Sequence, residues 1–95
     1  MNYINEPLFI QIMADWMAKE FPSVIYEEKS AWWVFPVTDQ DNFRHRELVA
    51  WIGYENAFCV GRNGMTSHSF NPCSPAFFEA CKTAVFRRLQ DFQDV

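Results

Sequence analysis

Hydrophobic residues near the start of the chain recur every three or four positions, the spacing that places them on one face of a helix. Asn5 is a suitable N-cap for this helix, and Pro22 disfavours helical geometry at the residue before it. The pattern therefore predicts a helix over about residues 6–21. Its predicted apolar stripe consists of Phe9, Ile12, Met13 and Trp16.

The middle of the chain is rich in β-branched and aromatic residues with the side-chain period of two that a strand has. In the strongest of these runs, Trp33 and Phe35 share one face, and Trp32 and Val34 point to the other. Pro36 has no N–H to donate, so we expect this strand to lie at an edge or to carry a bulge. The predicted strands cover residues 24–26, 31–38, 47–54, 57–62 and 65–70.

In the third predicted strand, Leu48 and Ala50 share one face, and Val49 lies on the other. A helix that begins near Asn42 is the alternative for this segment. Asn63-Gly64 tolerates the positive φ angles of a type I′ turn, which predicts a hairpin between the last two strands.

The C-terminal segment carries a second helical pattern. Ser74 is a suitable N-cap and Pro75 suits the first helical position, which predicts a helix over about residues 74–92. Its predicted buried stripe consists of Phe78, Cys81, Val85, Leu89 and Phe92, widened by Phe77 and Ala84.

These elements predict one α+β domain that spans residues 1–95, with an antiparallel sheet of three to five strands flanked by an N-terminal and a C-terminal helix. The two helices can cover the same face of the sheet or one face each. Trp32 and Trp33 point to opposite faces, and both are large, so we expect partial cover on both sides.

The net charge, the apolar runs and the cysteine count exclude some classes of function. The net charge of −4 disfavours a nucleic-acid binder, which needs a basic face, and it suits a partner with a basic surface. No signal peptide or long apolar run is visible, so we expect no membrane association and a cytoplasmic location. The three cysteines, an odd number, are expected to be reduced thiols: Cys59, Cys73 and Cys81.

Candidate chemistry is sparse. The spacing of Cys59, His68, Cys73 and Cys81 lacks the paired pattern of a zinc site, so no metal or other cofactor is expected. His68 and Cys73 are close enough in sequence to suggest a nucleophile and base, but no further catalytic motif accompanies them. Arg44 and Arg46 form a basic cluster that we interpret as a solvated strand end paired with Asp39, Asp41 or Glu47. We therefore expect a protein that is not an enzyme.

Carboxylates near the strand ends are the better candidates for a functional surface. An antiparallel sheet would gather some of them on one rim, beside exposed aromatic residues of the second strand. Charge there would steer a partner, and an aromatic anchor would supply binding energy. The candidate partner-binding residues are Glu27, Glu28, Trp32, Asp39, Asp41 and Glu55.

From Trp51 to Leu89 the chain resembles short phage and prophage proteins with a helix–sheet–helix "ABA sandwich" organisation. The resemblance consists of a Trp in a central strand, a hairpin, and then Asn71-Pro72 and Ser74-Pro75 before a helix that contains Ala80 and Ala84. It implies a mobile-element origin, in which small acidic proteins often block host enzymes or defence complexes, as anti-CRISPR proteins do.

Three hypotheses follow. The first is a non-enzymatic phage-type inhibitor of a host protein or nucleoprotein complex, with anti-CRISPR activity as its sharpest form. The second is an immunity or antitoxin protein that neutralises a basic nuclease toxin. The third is a small enzyme or ligand-binding domain that uses His68 and Cys73.

Overall fold

The computed structural model describes residues 6–38, 44–62 and 65–92 of the chain. Five strands form one sheet in the order β1-β2-β3-β4-β5, and every neighbouring pair is antiparallel. The predicted fold class is therefore confirmed: an α+β fold whose sheet is flanked along the chain by two helices. The elements are α1 (Glu6–Glu20), β1 (Ile25–Glu27), β2 (Trp32–Thr38), β3 (Arg44–Ile52), a 3-10 turn (Tyr54–Asn56), β4 (Phe58–Arg62), β5 (Met65–Phe70) and α2 (Phe77–Gln90).

Both helices pack on the same face of the sheet. The rings of Phe9 in α1 and Phe77 in α2 lie 6.2 Å apart, and both side chains belong to the core that includes Trp33 and Phe58 of the sheet. The two described helices thus cover the same face, and the expected partial cover of both faces is wrong. One reason is that the two helices bury apolar side chains against each other as well as against the sheet. The opposite side of the sheet is called the outer face below.

The buried stripe of α1 is rotated from the predicted one. Phe9, Met13 and Met17 are buried, whereas Ile12 is exposed. Residues four apart lie on one side of a helix, so either apolar row of this segment satisfies the helical period. Because α1 has more than one apolar row, the sequence pattern alone does not show which row faces the core.

Helix α2 begins at Phe77, later than the Ser74-Pro75 signal predicted. Asn71 organises the preceding turn, because its side-chain Oδ1 accepts the Cys73 N–H at 2.8 Å and its carbonyl accepts the Ser74 N–H at 3.0 Å. Such side-chain turns compete with the first turn of a helix. The later start turns Phe77 into the core and leaves Phe78 exposed.

A bulge in β3 changes which residues face the helices. Trp33 pairs with Ala50, and the next residue of β2, Val34, pairs with Leu48, so Val49 is the extra residue. Val49 and Ala50 both belong to the helix-side core, while Leu48 lies opposite Val34 on the outer face. The prediction that Leu48 and Ala50 share a face is therefore wrong, because regular alternation does not survive a bulge.

Pro36 lies in the part of β2 that pairs with a strand on one side only, among the described residues. Strand β2 is between β1 and β3 in the sheet, yet β1 pairs only with Trp32–Val34. Pro36 pairs with Arg46 of β3 and lies beyond the end of β1, where it disturbs no described ladder on that side. The missing N–H is therefore tolerated, as it is at a sheet edge.

The predicted hairpin between β4 and β5 is confirmed by the pairing of Arg62 with Met65. Asn63-Gly64 lies outside the described residues, and the type of its turn stays a prediction. A second bulge follows, since Val60 pairs with His68 and Gly61 with Thr66. A Cβ on Gly61 would collide with the Met65 carbonyl oxygen and lie 2.9 Å from the Ser67 nitrogen, so only glycine fits this close approach.

Arg88 of α2 holds both bulged regions from the helix side. Its guanidinium donates to the Leu48 carbonyl at 2.8 Å and to the Gly61 carbonyl at 2.9 Å, one beside each bulge. The guanidinium also contacts Asp91 at 3.1 Å and lies over the Phe92 ring. The side chain is only 10 % exposed, so these contacts satisfy a buried charge and fix α2 to the sheet.

Candidate functional site

The outer face collects side chains from four strands into two rows. Because paired residues of neighbouring strands point to the same face, the register fixes both rows. The row nearer the middle of β2 contains the paired residues Val34 and Leu48, and both are at least nine-tenths buried. The row at the start of β2 contains one residue from each of β2 to β5, which pair in the order Trp32, Trp51, Cys59 and Ser69.

An open depression of about 400 Å³ lies on this face over β1, β2 and β3. Val34 and Leu48 form its apolar floor, and Trp32, 40 % exposed, lies beside them. The carboxylates of Glu27 and Glu47 and the guanidinium of Arg46 complete the lining. An apolar floor with a half-exposed indole and a charged rim is suited to receive one apolar side chain from a partner.

Glu27 and Arg46 form an ion pair across the depression, with 3.1 Å between Oε1 and NH1. The two residues are 19 positions apart and meet on the outer face although β2 lies between their strands. Sequence reasoning missed this partner for Arg46. The Arg46 side chain is exposed and that of Glu27 is partly exposed, so the pair adds little stability, about 0–1 kcal/mol, and its main effect is on the local charge.

Three of the five predicted partner-binding carboxylates lie in the described residues. The β1–β2 and β3–β4 connections leave the same end of an antiparallel sheet, so Glu27, Glu28 and Glu55 lie toward one end. We call this trio the acidic end. Burial, with a further contribution from Glu28, raises the pKa of Tyr26. Asp39 and Asp41, also predicted to bind a partner, lie outside the described residues.

His68 and Cys73 are not joined by a hydrogen bond in the described part of the chain. The His68 ring stacks on Phe70 with their centroids 5.8 Å apart, while the Cys73 backbone is held by Asn71. His68 lies beside Arg87 in a groove between β5 and α2. This arrangement adds no nucleophile–base contact to the sequence proximity that suggested one.

The three cysteines differ in accessibility. All are free thiols; Cys73 is exposed, whereas Cys59 and Cys81 are buried. Burial raises the pKa of the Cys81 thiol to about 12, so it stays protonated at neutral pH. Within residues 6–38, 44–62 and 65–92, no group of three or more His, Cys, Asp or Glu side chains is placed to hold a metal ion.

No family model, curated protein or solved structure matches this chain. Neither of the helices described here is long and apolar enough to cross a lipid bilayer. The candidate site therefore rests on geometry alone: the outer face, its depression and the acidic end.

Proposed function

We propose that this protein is a non-enzymatic binding domain whose outer face docks on a basic surface of another protein. The observation that carries the proposal is Trp32, an indole 40 % exposed beside a buried apolar floor, on the face that neither of the two described helices covers. Aromatic side chains at the centre of an interface supply much of its binding energy. Trp32 is the anchor in this proposal.

The acidic end supports the choice of a basic partner. Glu28 and Glu55 have no ion-pair partner among the described residues, and both lie in connections at the end of the sheet where β2 begins with Trp32. Complementary charge mainly speeds association and selects the partner. The partner in this proposal has an apolar side chain that fills the depression and cations that face the acidic end.

Two narrower functions use the same surface. One is inhibition of a host protein or nucleoprotein complex by a phage-encoded protein, including anti-CRISPR activity; the other is neutralisation of a basic nuclease toxin. Both require stoichiometric binding through an acidic surface in the reducing cytoplasm. The phage origin rests on the sequence resemblance and stays a prediction.

The test compares variants in one capture experiment on lysate from the source cell, with bound proteins quantified by mass spectrometry. Trp32→Ala should lose a specific protein that the native chain retains. Glu28→Lys combined with Glu55→Lys should lower its capture and weaken the dependence on salt. Phe86→Ala is the matched control, since Phe86 is also an exposed aromatic residue but lies on α2.

Two outcomes contradict the proposal. One is loss of the captured protein with Phe86→Ala and not with Trp32→Ala. The other is activity that requires His68 or Cys73, since His68→Ala and Cys73→Ala should leave binding intact. Reversing Asp39 and Asp41 to Lys tests whether the acidic surface extends to that predicted pair.

A further inference from the structure

Strand β5 lies at an edge of the sheet, and no other strand in the described part of the chain pairs with that edge. Met65–Phe70 pairs with β4 on one side and is the last strand of the order, and its first five residues are exposed. The other edge strand, β1, has only three residues and ends in Glu27. Natural sheets protect edges by shortness, charge or proline, and β5 has six residues with neither a charged side chain nor a proline.

A groove of about 170 Å³ runs beside this edge, between β5 and α2. Ser67 and His68 line it from β5, Val60 from β4, Ala84, Arg87 and Arg88 from α2, and Asp91 from the residue after the helix.

The two arginines of the groove differ in what they bind. Arg88 is occupied by backbone carbonyls and by Asp91. Arg87 is exposed and has no ion-pair partner among the described residues, so a cation is left available beside the free edge.

We propose that the β5 edge binds an extended segment of another protein that adds a sixth strand and carries an acidic side chain to Arg87. Unpaired N–H and C=O groups of an edge strand supply affinity in this mode of recognition, and pockets for alternate side chains supply specificity. Every second side chain of the added strand lies on the helix side of the sheet, where the groove is. A carboxylate in that position completes the missing ion pair with Arg87.

Charge argues against a second copy of the chain as the occupant. Two β5 strands that pair about a twofold axis bring the same side-chain set together, including Arg87 from both copies. Like charges in one groove oppose that pairing, whereas a carboxylate favours the segment of another protein. This edge is separate from the outer face, so the proposal does not rest on Trp32 or on the acidic end.

The test uses ten-residue peptides of alternating Thr and Val, with Glu, Gln or Lys at one helix-side position, added at about 1 mM to the native chain. Backbone amide resonances of Met65–Phe70 should shift with the Glu peptide, and about tenfold less affinity is expected for the Lys peptide. N-methylation of alternate peptide amides on the pairing edge should abolish the shifts, and methylation of the opposite edge should not.

Arg87→Glu should reverse the preference, so that the Lys peptide binds more tightly than the Glu peptide. Lys29→Glu is the matched control, because it makes the same charge change at an exposed turn between β1 and β2 and should leave the preference unchanged.

Three results overturn the proposal. They are the absence of shifts in Met65–Phe70 with any peptide, equal affinity for the Glu and Lys peptides, and a concentration-dependent dimer whose β5 amides are already paired. The last result would assign the edge to a second copy. Failure of Trp32→Ala to affect capture would contradict only the proposed function.

Discussion

The adjacent tryptophans Trp32 and Trp33 lie on opposite faces of the sheet and differ in burial. Trp33 points toward the helices and is 1 % exposed. The Tyr26 ring stacks on it with 4.9 Å between centroids, and the Phe58 ring meets it edge-on at 5.5 Å. Trp32 points to the outer face and is 40 % exposed. Two adjacent residues of the same type therefore differ widely in burial. Whether a ring is buried depends on the face that the helices cover, not on the residue type.

The largest expected effect separates these faces directly. Trp33→Ala should destabilise the fold by about 3–5 kcal/mol, since it removes a fully buried ring from the core. Trp32→Ala should change stability by about 1 kcal/mol or less while it weakens partner binding. Urea denaturation followed by circular dichroism measures the free energy of unfolding of both variants.

Trp33→Phe refines this comparison. The buried Trp33 Nε1 has no hydrogen-bond acceptor in the described residues, so its removal abolishes no such bond. The phenylalanine variant should therefore lose less stability than the alanine variant. Equal destabilisation by Trp32→Ala and Trp33→Ala would show that the outer face is as much a part of the folded core as the covered face.

The second comparison uses adjacent arginines of α2. Arg88→Ala removes the bonds to the Leu48 and Gly61 carbonyls and should cost about 2–4 kcal/mol. Arg87→Ala, at an exposed position, should cost less than about 0.5 kcal/mol. Hydrogen exchange should become faster at the two bulges in the Arg88 variant alone. Similar losses from both variants would contradict the role assigned to Arg88.

Much of the fold follows from local patterns. The hairpin strand Met65–Phe70 has the predicted bounds, and α1 is predicted to within one residue, because turn chemistry and helical spacing act locally. The bulge at Val49 is not predictable from alternation, since the apolar residues on both sides of it satisfy either register. The late start of α2 depends on Asn71, whose side-chain turn competes with a good N-cap signal.

The candidate site was predictable only in part. Glu27, Glu28 and Trp32 were identifiable by charge and size, but the buried floor under Trp32 requires the cross-strand pairing of Val34 with Leu48. Arg46 contacts Glu27 through the order of the strands, which a local pattern does not contain. Arg88 lies in the last turn of α2, where any cation complements the helix dipole, and its contacts with carbonyls of the sheet depend on how the helix packs.

Substitution of two glycines should change stability by an intermediate amount. Gly61→Ala places a methyl group against backbone atoms of β5, which cannot move without a change in the hairpin, and should cost about 1–3 kcal/mol. Gly53→Ala meets the Cys59 sulfur at 2.6 Å, and a side chain adjusts more easily than backbone. The thermal midpoint should therefore fall further for Gly61→Ala. A larger fall for Gly53→Ala would mean that the outer face is packed more rigidly than the hairpin.

Ionisation of the Cys81 thiol, on the covered face, has the smallest expected effect on the free energy of unfolding at neutral pH. Its thiol has a pKa of about 12 in the folded chain, raised by burial from an ordinary value of 9.0. Below pH 9 both states keep the proton, so the full stability is present. Between pH 9 and pH 12 the unfolded chain loses the proton first, and stability should fall as pH rises. Tyr26, whose pKa is also raised, adds a fall in the same direction.

Cys81→Ala isolates the thiol, because the Tyr26 contribution is common to both proteins. The difference in free energy of unfolding between the native chain and Cys81→Ala should be constant below pH 9 and should shrink above it. Urea denaturation at each pH measures this difference, and parallel curves from pH 7 to pH 11 would contradict the assignment. Since the thiolate is the nucleophile, an alkylating reagent at pH 8 should modify the exposed Cys73 and leave Cys81 intact until the chain unfolds.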